Sequence, residues 1–326
     1  MQRLISFDIA KAICIILVVI GHYVPDGSPS WYMDVHDVIY SFHMPLFMFA
    51  SGFIYMATKK KIPYKDFLMK KVKRLMVPYF SVSTIIITIK LVTEGNAYVE
   101  NPVTVMSYLK MFYLPEAGYF LWFIWALWWM FVLVPLFKTK QVRLELFALA
   151  LLVHYMPTFL PEMFCLRQFQ NMLVYFMLGV ACCDWKSQLA WLSKVPSAIV
   201  YLLFVGGETA MLMEIRGGQI LSLLPYVGIA TVMVLSHNIE KWNMRGKGLL
   251  MIVSGSSYII YLFHTTFEGF AKAVVPKIPI FVDTSNELLF IVNVSIVVSC
   301  GVIAPAILHR YVLSRYSITK LLFGLK

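Results

Sequence analysis

Charged residues are scarce in this chain. Of its 326 residues, only 14% are Asp, Glu, Lys or Arg, whereas 60% are hydrophobic. A soluble domain carries about 25% charged and about 45–50% apolar residues, so one buried core could not absorb this much apolar surface. The composition therefore excludes a soluble enzyme, a soluble nucleic-acid-binding module and a disordered chain.

Recognisable metal and nucleophile motifs are also missing from the sequence. The five cysteines form no CxxC pair, so we expect neither a disulfide framework nor a zinc site. No HxxH or HExxH box occurs, which argues against a metal centre. No GxSxG elbow is present, so a serine triad is not expected either.

Long hydrophobic runs dominate the chain instead. A membrane-spanning helix needs about 20 mostly apolar residues. This criterion predicts an all-α, polytopic membrane protein with about ten transmembrane helices, which form a single domain over residues 1–326. The predicted spans are 9–24, 37–57, 75–93, 118–137, 144–158, 168–183, 195–213, 219–237, 249–267 and 287–306.

The basic residues predict how these spans are oriented. Lys and Arg accumulate on the cytoplasmic side of membrane proteins. With cytoplasmic N- and C-termini, only six of the 28 basic residues fall in outer segments, which accounts for most of the net charge of +11 without nucleic acid. These six are Lys90, Lys110, Arg167, Arg216, Lys272 and Lys277.

The first span carries ionisable residues along one face. Lys11 and His22 are eleven residues apart, which brings them within about 20° of each other around a helix, and Asp8 lies about 40° from His22. Ionisable groups within a membrane are costly and often functional, so Asp8, Lys11 and His22 are candidate site residues. The alternative for Asp8 and Lys11 is an i,i+3 pair at the membrane interface.

Three further histidines fall in the outer part of apolar spans: His43 in the second, His154 in the fifth and His264 in the ninth. Each alone could be a buried histidine with one hydrogen bond to a neighbouring helix. Their shared depth with His22 favours a common polar cavity that opens toward the outer face. Pro45, which follows His43, would bend the second helix, as is common beside a cavity.

The segment KKKIPYKDFLMKKVKRLMVPYF (59–80) holds the densest run of positive charge. It could anchor the chain on anionic lipid, or Lys73 and Arg74 could bind the phosphates of a cytoplasmic substrate. The fourth span holds four tryptophans, of which Trp125 and Trp128 are too deep for an interfacial belt.

Taken in order, five segments resemble the acyltransferase family 3 membrane proteins, which include bacterial O-acetyltransferases of cell-surface sugars. The segments are DIAKAICIILVVIGHY (8–23), SFHMPLFMFASGF (41–53), KRLMVPY (73–79), LWFIWAL (121–127) and SSYIIYLFH (256–264). Their order and spacing agree with the family over nearly the whole chain.

The resemblance implies transfer of an acyl group, usually acetyl, from cytoplasmic acyl-CoA to a hydroxyl of a sugar or glycolipid. His22 would be the essential catalytic residue, acting as a general base or as an acyl relay. Lys11 stands where many members have Arg, and Arg74 matches the family's arginine before the third span. His43, His264 and Trp122 would line the acceptor cavity.

This reading requires no cofactor, with acyl-CoA, in the first place acetyl-CoA, as co-substrate. The expected partners are acyl-CoA, a sugar or glycolipid acceptor and membrane lipids, without nucleic acid, and a homodimer stays open. The expected location is the bacterial cytoplasmic (inner) membrane. Two other functions remain open: a transporter or flippase for a glycolipid or small acid, and a scaffold in a polysaccharide-synthesis complex.

Overall fold

The computed structural model describes residues 4–25, 27–94, 101–189, 194–213, 222–242, 246–275 and 286–325. Within these ranges the chain is α-helical with connecting turns, and no strand forms. The α-helices in chain order are α1 Ile5–His22, α2 Ser30–Ala57, α3 Tyr64–Lys71, α4 Val77–Thr93, α5 Ser107–Lys110, α6 Trp122–Leu133, α7 Lys140–Tyr155, α8 Leu166–Asp184, α9 Ser197–Leu212, α10 Leu224–Lys241, α11 Lys247–Val274, α12 Glu287–Leu308 and α13 Ser317–Leu322.

The all-helical class is confirmed, together with six helices that are long and apolar enough to cross a membrane. They are Ile5–His22, Ser30–Ala57, Tyr64–Thr93, Tyr119–Leu136, Lys247–Val274 and Glu287–Leu313. A helix lies at each of the ten predicted positions, although residues 219–221 of the eighth predicted span fall outside the described ranges. The count of ten spans and the orientation of the termini stay predictions.

The third predicted span is longer than the sequence suggested. Its helix begins at Tyr64 rather than at residue 75, because α3 runs through the π-helical turn Val72–Met76 into α4. Lys and Arg are good helix formers, so the basic segment continues the apolar helix instead of ending it.

The helices form two compact units. Unit 1 comprises residues 1–51 and 185–306, and unit 2 comprises residues 52–184 and 307–326. The single acyltransferase domain predicted over residues 1–326 stays a prediction.

In unit 1, α1 packs against α11 and α10, and α9 packs against α10. One face of α1 is apolar and fully buried, as at Ile9, Ile15 and Val19. Gly301 of α12 lies where this helix approaches Val19 of α1 and Glu268 of α11. A Cβ on Gly301 would lie only 2.8 Å from Val19 Cγ1 on α1. Close helix contacts of this kind favour small residues in membrane proteins.

In unit 2, α8 packs against α7 and α6. The cytoplasmic end predicted for this unit is tied by a buried ion pair, in which Arg143 donates to Asp184 from Nε at 2.6 Å and from Nη2 at 2.9 Å. Arg143 also donates to the carbonyls of Phe137 and Lys138. Because both charged groups are hydrogen-bonded, this buried pair fixes the α6–α7 connection to the end of α8.

Candidate active site

His22 is the last residue of α1, and its ring faces His264 on α11. The chain leaves the helix at Tyr23, which is extended, shortly before Pro25. The ring centroids of His22 and His264 are 5.0 Å apart. His264 is fully buried, whereas His22 is partly exposed. The structure therefore pairs two of the histidines that the sequence had placed at a common depth.

The backbone fixes the tautomers of His43 and His264. His43 Nδ1 lies 2.8 Å from the Ile39 carbonyl, and His264 Nδ1 lies 2.8 Å from the Tyr261 carbonyl. A carbonyl oxygen can only accept, so Nδ1 must carry the proton in both rings. In their neutral forms both histidines therefore present Nε2 as a hydrogen-bond acceptor.

Tyr40 connects the histidines of α2 with His22. Its ring centroid lies 4.8 Å from that of His43, 4.1 Å from that of His36 and 6.4 Å from that of His22. Tyr40 is 44% exposed, so this side of the cluster reaches the surface of unit 1. We call His22, His264, His43 and Tyr40 the histidine cluster.

Glu268 is a buried carboxylate beside this cluster that the sequence analysis missed. It lies one turn after His264 on α11 and is only 2% exposed. A Cβ on Gly301 would come within 3.0 Å of Glu268 Oε1 and 2.8 Å of Val19, which is three residues before His22. The carboxylate therefore lies near Gly301 of α12, close to where α12 meets Val19 of α1. The H-x-x-x-E spacing, which puts both side chains on one helix face, was the available signal.

Asp8 and Lys11 form the predicted i,i+3 pair at the other end of α1. Lys11 Nζ lies 2.7 Å from Asp8 Oδ1, and Ser254 on α11 donates to the same oxygen at 3.3 Å. Eleven residues of helix rise separate Lys11 from His22, which is about 16 Å. The structure thus keeps this pair apart from the histidine cluster.

The remaining candidates belong to unit 2. Lys73 and Arg74 are exposed on the π-helical turn between α3 and α4, a type of turn that often occurs at functional sites. Trp122 is buried at the start of α6. His154 is likewise in unit 2, with its Nδ1 2.9 Å from the Asn171 carbonyl.

No group of three or more His, Cys, Asp or Glu side chains among the described residues could hold a metal ion. The absence of a metal site stays a prediction for the whole chain.

Comparison with known proteins gives a family match. Residues 4–310 match the family described as "Acyltransferase domain". The chain is 30% identical over 143 residues to the nodulation protein NolL of Mesorhizobium japonicum, which covers 42% of this chain and 37% of that protein. It is 31% identical over 163 residues to NolL of Sinorhizobium fredii, covering 48% and 43%. The match thus spans less than half the length of either relative. No solved structure matches the chain.

Proposed function

Because the chain belongs to the acyltransferase domain family, we propose that it is a membrane enzyme. It moves an acyl group from cytoplasmic acyl-CoA to a hydroxyl of a cell-surface or lipid-linked sugar. Acetyl is the acyl group we propose, and the bacterial inner membrane is the location. The observation that carries this proposal is the family match over residues 4–310. The pairing of His22 with His264 supports the choice of site.

The reaction needs a base and a group that stabilises developing negative charge. The base removes the proton of the acceptor hydroxyl while the oxygen of that hydroxyl bonds to the thioester carbonyl carbon. The tetrahedral intermediate then collapses, the C–S bond breaks, and the thiolate of CoA takes up a proton. The products are the sugar ester and free CoA thiol.

His22 is the group we assign to the base. Of the three histidines in the cluster, His22 is partly exposed, so a substrate can reach it, whereas His264 and His43 are buried and hydrogen-bonded to backbone carbonyls of their own helices. His264 faces His22, and Glu268 lies one turn from His264 on α11. Glu268 and His264 would thus act on the reaction through His22.

His22 could instead accept the acyl group and pass it on. An imidazole nitrogen would attack the thioester, CoA thiol would leave, and the acceptor hydroxyl would then take the acyl group from the imidazole. Both routes use the same residue and give the same products.

We propose that the phosphates of acyl-CoA meet the basic turn in unit 2. Lys73 and Arg74 are adjacent on the π-helical turn, and Lys70 and Lys71 precede them at the end of α3. A guanidinium such as that of Arg74 can bind a phosphate through two parallel hydrogen bonds, which suits this role.

Release of CoA thiol from acetyl-CoA tests the proposed function. We expect detergent-purified protein to release thiol when bacterial glycolipid extract is added, and His22→Ala to lower the rate by about 10²–10⁴-fold, the typical contribution of a general base. The matched control is His237→Ala, since His237 is exposed on α10 and away from the cluster.

Two outcomes would contradict the proposal in different ways. If the folded wild type releases no thiol from any short acyl-CoA, the transferase is wrong and the transporter alternative gains support. If His22→Ala and His237→Ala both keep normal rates, the chain is a transferase but the assigned base is wrong.

A further inference from the structure

A small pocket lies in unit 2, and its lining includes none of the residues assigned above. Its volume is about 230 Å³, and it is lined by Leu114, Pro115, Glu116, Tyr119, Glu162, Cys165 and Gln168. Sites for drug-sized ligands measure about 300–1,000 Å³, so this pocket has room for one small ring rather than for a large ligand.

One segment of the lining, residues 114–116, is held in place by buried hydrogen bonds. The hydroxyl of Tyr79, a fully buried residue of α4, lies 2.8 Å from the Met111 carbonyl and 2.9 Å from the Leu114 carbonyl. The segment that carries Leu114 and Glu116 is therefore fixed to α4.

A second lining segment, at Cys165, contains an unusual backbone. Phe164 and Cys165 are consecutive non-glycine residues with φ of 57° and 54°. Such conformations cost about 1–3 kcal/mol each and persist where the surroundings impose them, often at ligand sites. Here the Phe164 amide donates to the Tyr113 carbonyl at 2.7 Å, and the Trp129 indole donates to the Phe164 carbonyl at 2.9 Å.

The polar groups of the pocket are suited to hydroxyls. Among the described residues, Ser107 donates to Glu116 Oε2 and Arg167 donates to Glu162 Oε1. The second oxygen of each carboxylate can therefore accept a hydrogen bond from a ligand. The Gln168 amide donates to the Tyr119 hydroxyl at 2.9 Å, while the Tyr119 side chain stays 66% exposed. Carboxylate oxygens accept hydrogen bonds from sugar hydroxyls, and an exposed aromatic ring offers an apolar face for a sugar ring.

The charge of the pocket excludes the acyl donor as its ligand. Two carboxylates line it, and they would repel the phosphates of CoA or an anionic sugar. Burial raises the pKa of the Cys165 thiol to about 12, so this thiol adds no further negative charge. The lining therefore selects a neutral, hydroxyl-rich ligand.

We propose that this pocket binds one neutral sugar unit of the acyl acceptor through Glu116, Tyr119 and Gln168. That this sugar belongs to the acyl acceptor rests on the proposed function, but binding of the sugar does not depend on acyl transfer. The lining residues belong to, or adjoin, segments predicted on the outer side of the membrane, which is the side of a cell-surface glycan.

Saturation-transfer NMR on the full chain in nanodiscs tests the proposal, with the methyl glycosides of glucose, galactose and N-acetylglucosamine as probes. We expect at least one of them to bind at millimolar concentration and methyl glucuronide to bind more weakly. Tyr119→Ala and Glu116→Gln should each weaken binding by about fivefold or more, since each removes a direct contact, whereas Glu145→Gln, an exposed carboxylate on α7, should change it by less than about twofold.

His22→Ala separates this proposal from the proposed function. If the pocket binds the sugar, His22→Ala binds the glycosides as wild type does even though its thiol release is about 10²–10⁴-fold slower. The pocket assignment is overturned if no neutral glycoside binds the folded protein up to about 50 mM, or if Tyr119→Ala and Glu116→Gln bind as well as wild type. Either result would leave the thiol-release assay unaffected.

Discussion

Arg74 is the residue that we propose binds the phosphates of the acyl donor, and its backbone is held in place. Its side chain is exposed on the π-helical turn Val72–Met76. Its backbone contacts the segment after α13, since a Cβ on Gly324 would come within 2.8 Å of the Arg74 carbonyl oxygen. This close approach holds the turn against the segment after α13. The turn therefore presents Lys73 and Arg74 from a fixed backbone rather than from a loose loop.

Arg74→Ala should weaken the use of acetyl-CoA. A hydrogen bond to a charged group contributes about 1.5–3 kcal/mol, so we expect the KM for acetyl-CoA to rise by about tenfold or more. The KM for the glycolipid acceptor should change little. Steady-state thiol release at varied donor and acceptor concentrations measures both values.

Arg315→Ala is the matched control, because Arg315 is exposed and also predicted to be cytoplasmic. Equal effects of the two substitutions would mean that general positive charge attracts the donor and that Arg74 makes no specific phosphate contact.

At the scale of helices, unit 2 depends on a very close contact between α2 and α8. A Cβ on Gly52 would lie 2.0 Å from the Phe176 carbonyl oxygen and 2.9 Å from its carbonyl carbon. Phe176 lies within α8, where its carbonyl belongs to the hydrogen-bond ladder of the helix and cannot move alone. The helices can therefore approach this closely only with glycine at position 52.

Gly52→Ala should consequently destabilise the protein by about 2 kcal/mol or more, since the overpacked backbone must shift. The loss is measured as a lower Tm of detergent-purified protein. Gly255→Ala on α11 is the control, because nothing lies within 4 Å of a Cβ there. In that variant alanine should leave Tm unchanged or raise it slightly. Equal Tm values for the two variants would refute the contact between α2 and α8.

At the scale of the whole molecule, the six candidate spans of the structure and the ten spans predicted from the sequence give two different membrane topologies. Six helices meet the length and composition of a span, while α9 is apolar but shorter. If only those six cross, residues 137–246 all lie on the cytoplasmic side. If all ten predicted spans cross, the turn between α7 and α8 lies outside. Both arrangements return the chain to the same side at its C-terminus, so the positions of the termini do not distinguish them.

Cysteine labelling at Thr158 distinguishes six from ten crossings. Thr158 is exposed between α7 and α8. In a cysteine-free background, we expect Thr158→Cys to react with a membrane-impermeant maleimide in intact cells, because hydrophobicity and the basic-residue distribution favour ten spans.

Asp34→Cys and Lys60→Cys provide the outer and inner references, since both residues are exposed. If Thr158→Cys reacts only after the cells are permeabilised, as Lys60→Cys should, the ten-span prediction is wrong. If Asp34→Cys also fails in intact cells, the predicted orientation is wrong.

Much of the fold could be predicted from hydrophobicity alone. Apolar runs placed a helix at all ten positions, because a helix in a membrane must satisfy its backbone internally and the side chains around it must be apolar. The helix boundaries were less accurate. The length of the Tyr64–Thr93 helix was underestimated, because its first turns are basic. A search for apolar runs ends where charged residues begin, even when the helix continues through them.

The candidate site was predictable only in part. The Asp8–Lys11 pair followed from its i,i+3 spacing, which is a local property of α1. Glu268 was missed because its relevance depends on Gly301 and Val19, which come from two other helices. His154 shared the depth of the other histidines but belongs to the other unit, which depth along a span cannot reveal.

The sequence by itself determined that this protein is helical, rich in candidate membrane spans and similar to acyltransferases, because composition, hydrophobic run length and ordered motifs are properties of the chain read in one dimension. Only the tertiary structure decided that His22 faces His264, that Glu268 lies near Gly301 of another helix, and that Glu116, Tyr119 and Gln168 share a pocket. Those groupings join residues far apart in sequence, and the packing of helix against helix sets which side chains meet.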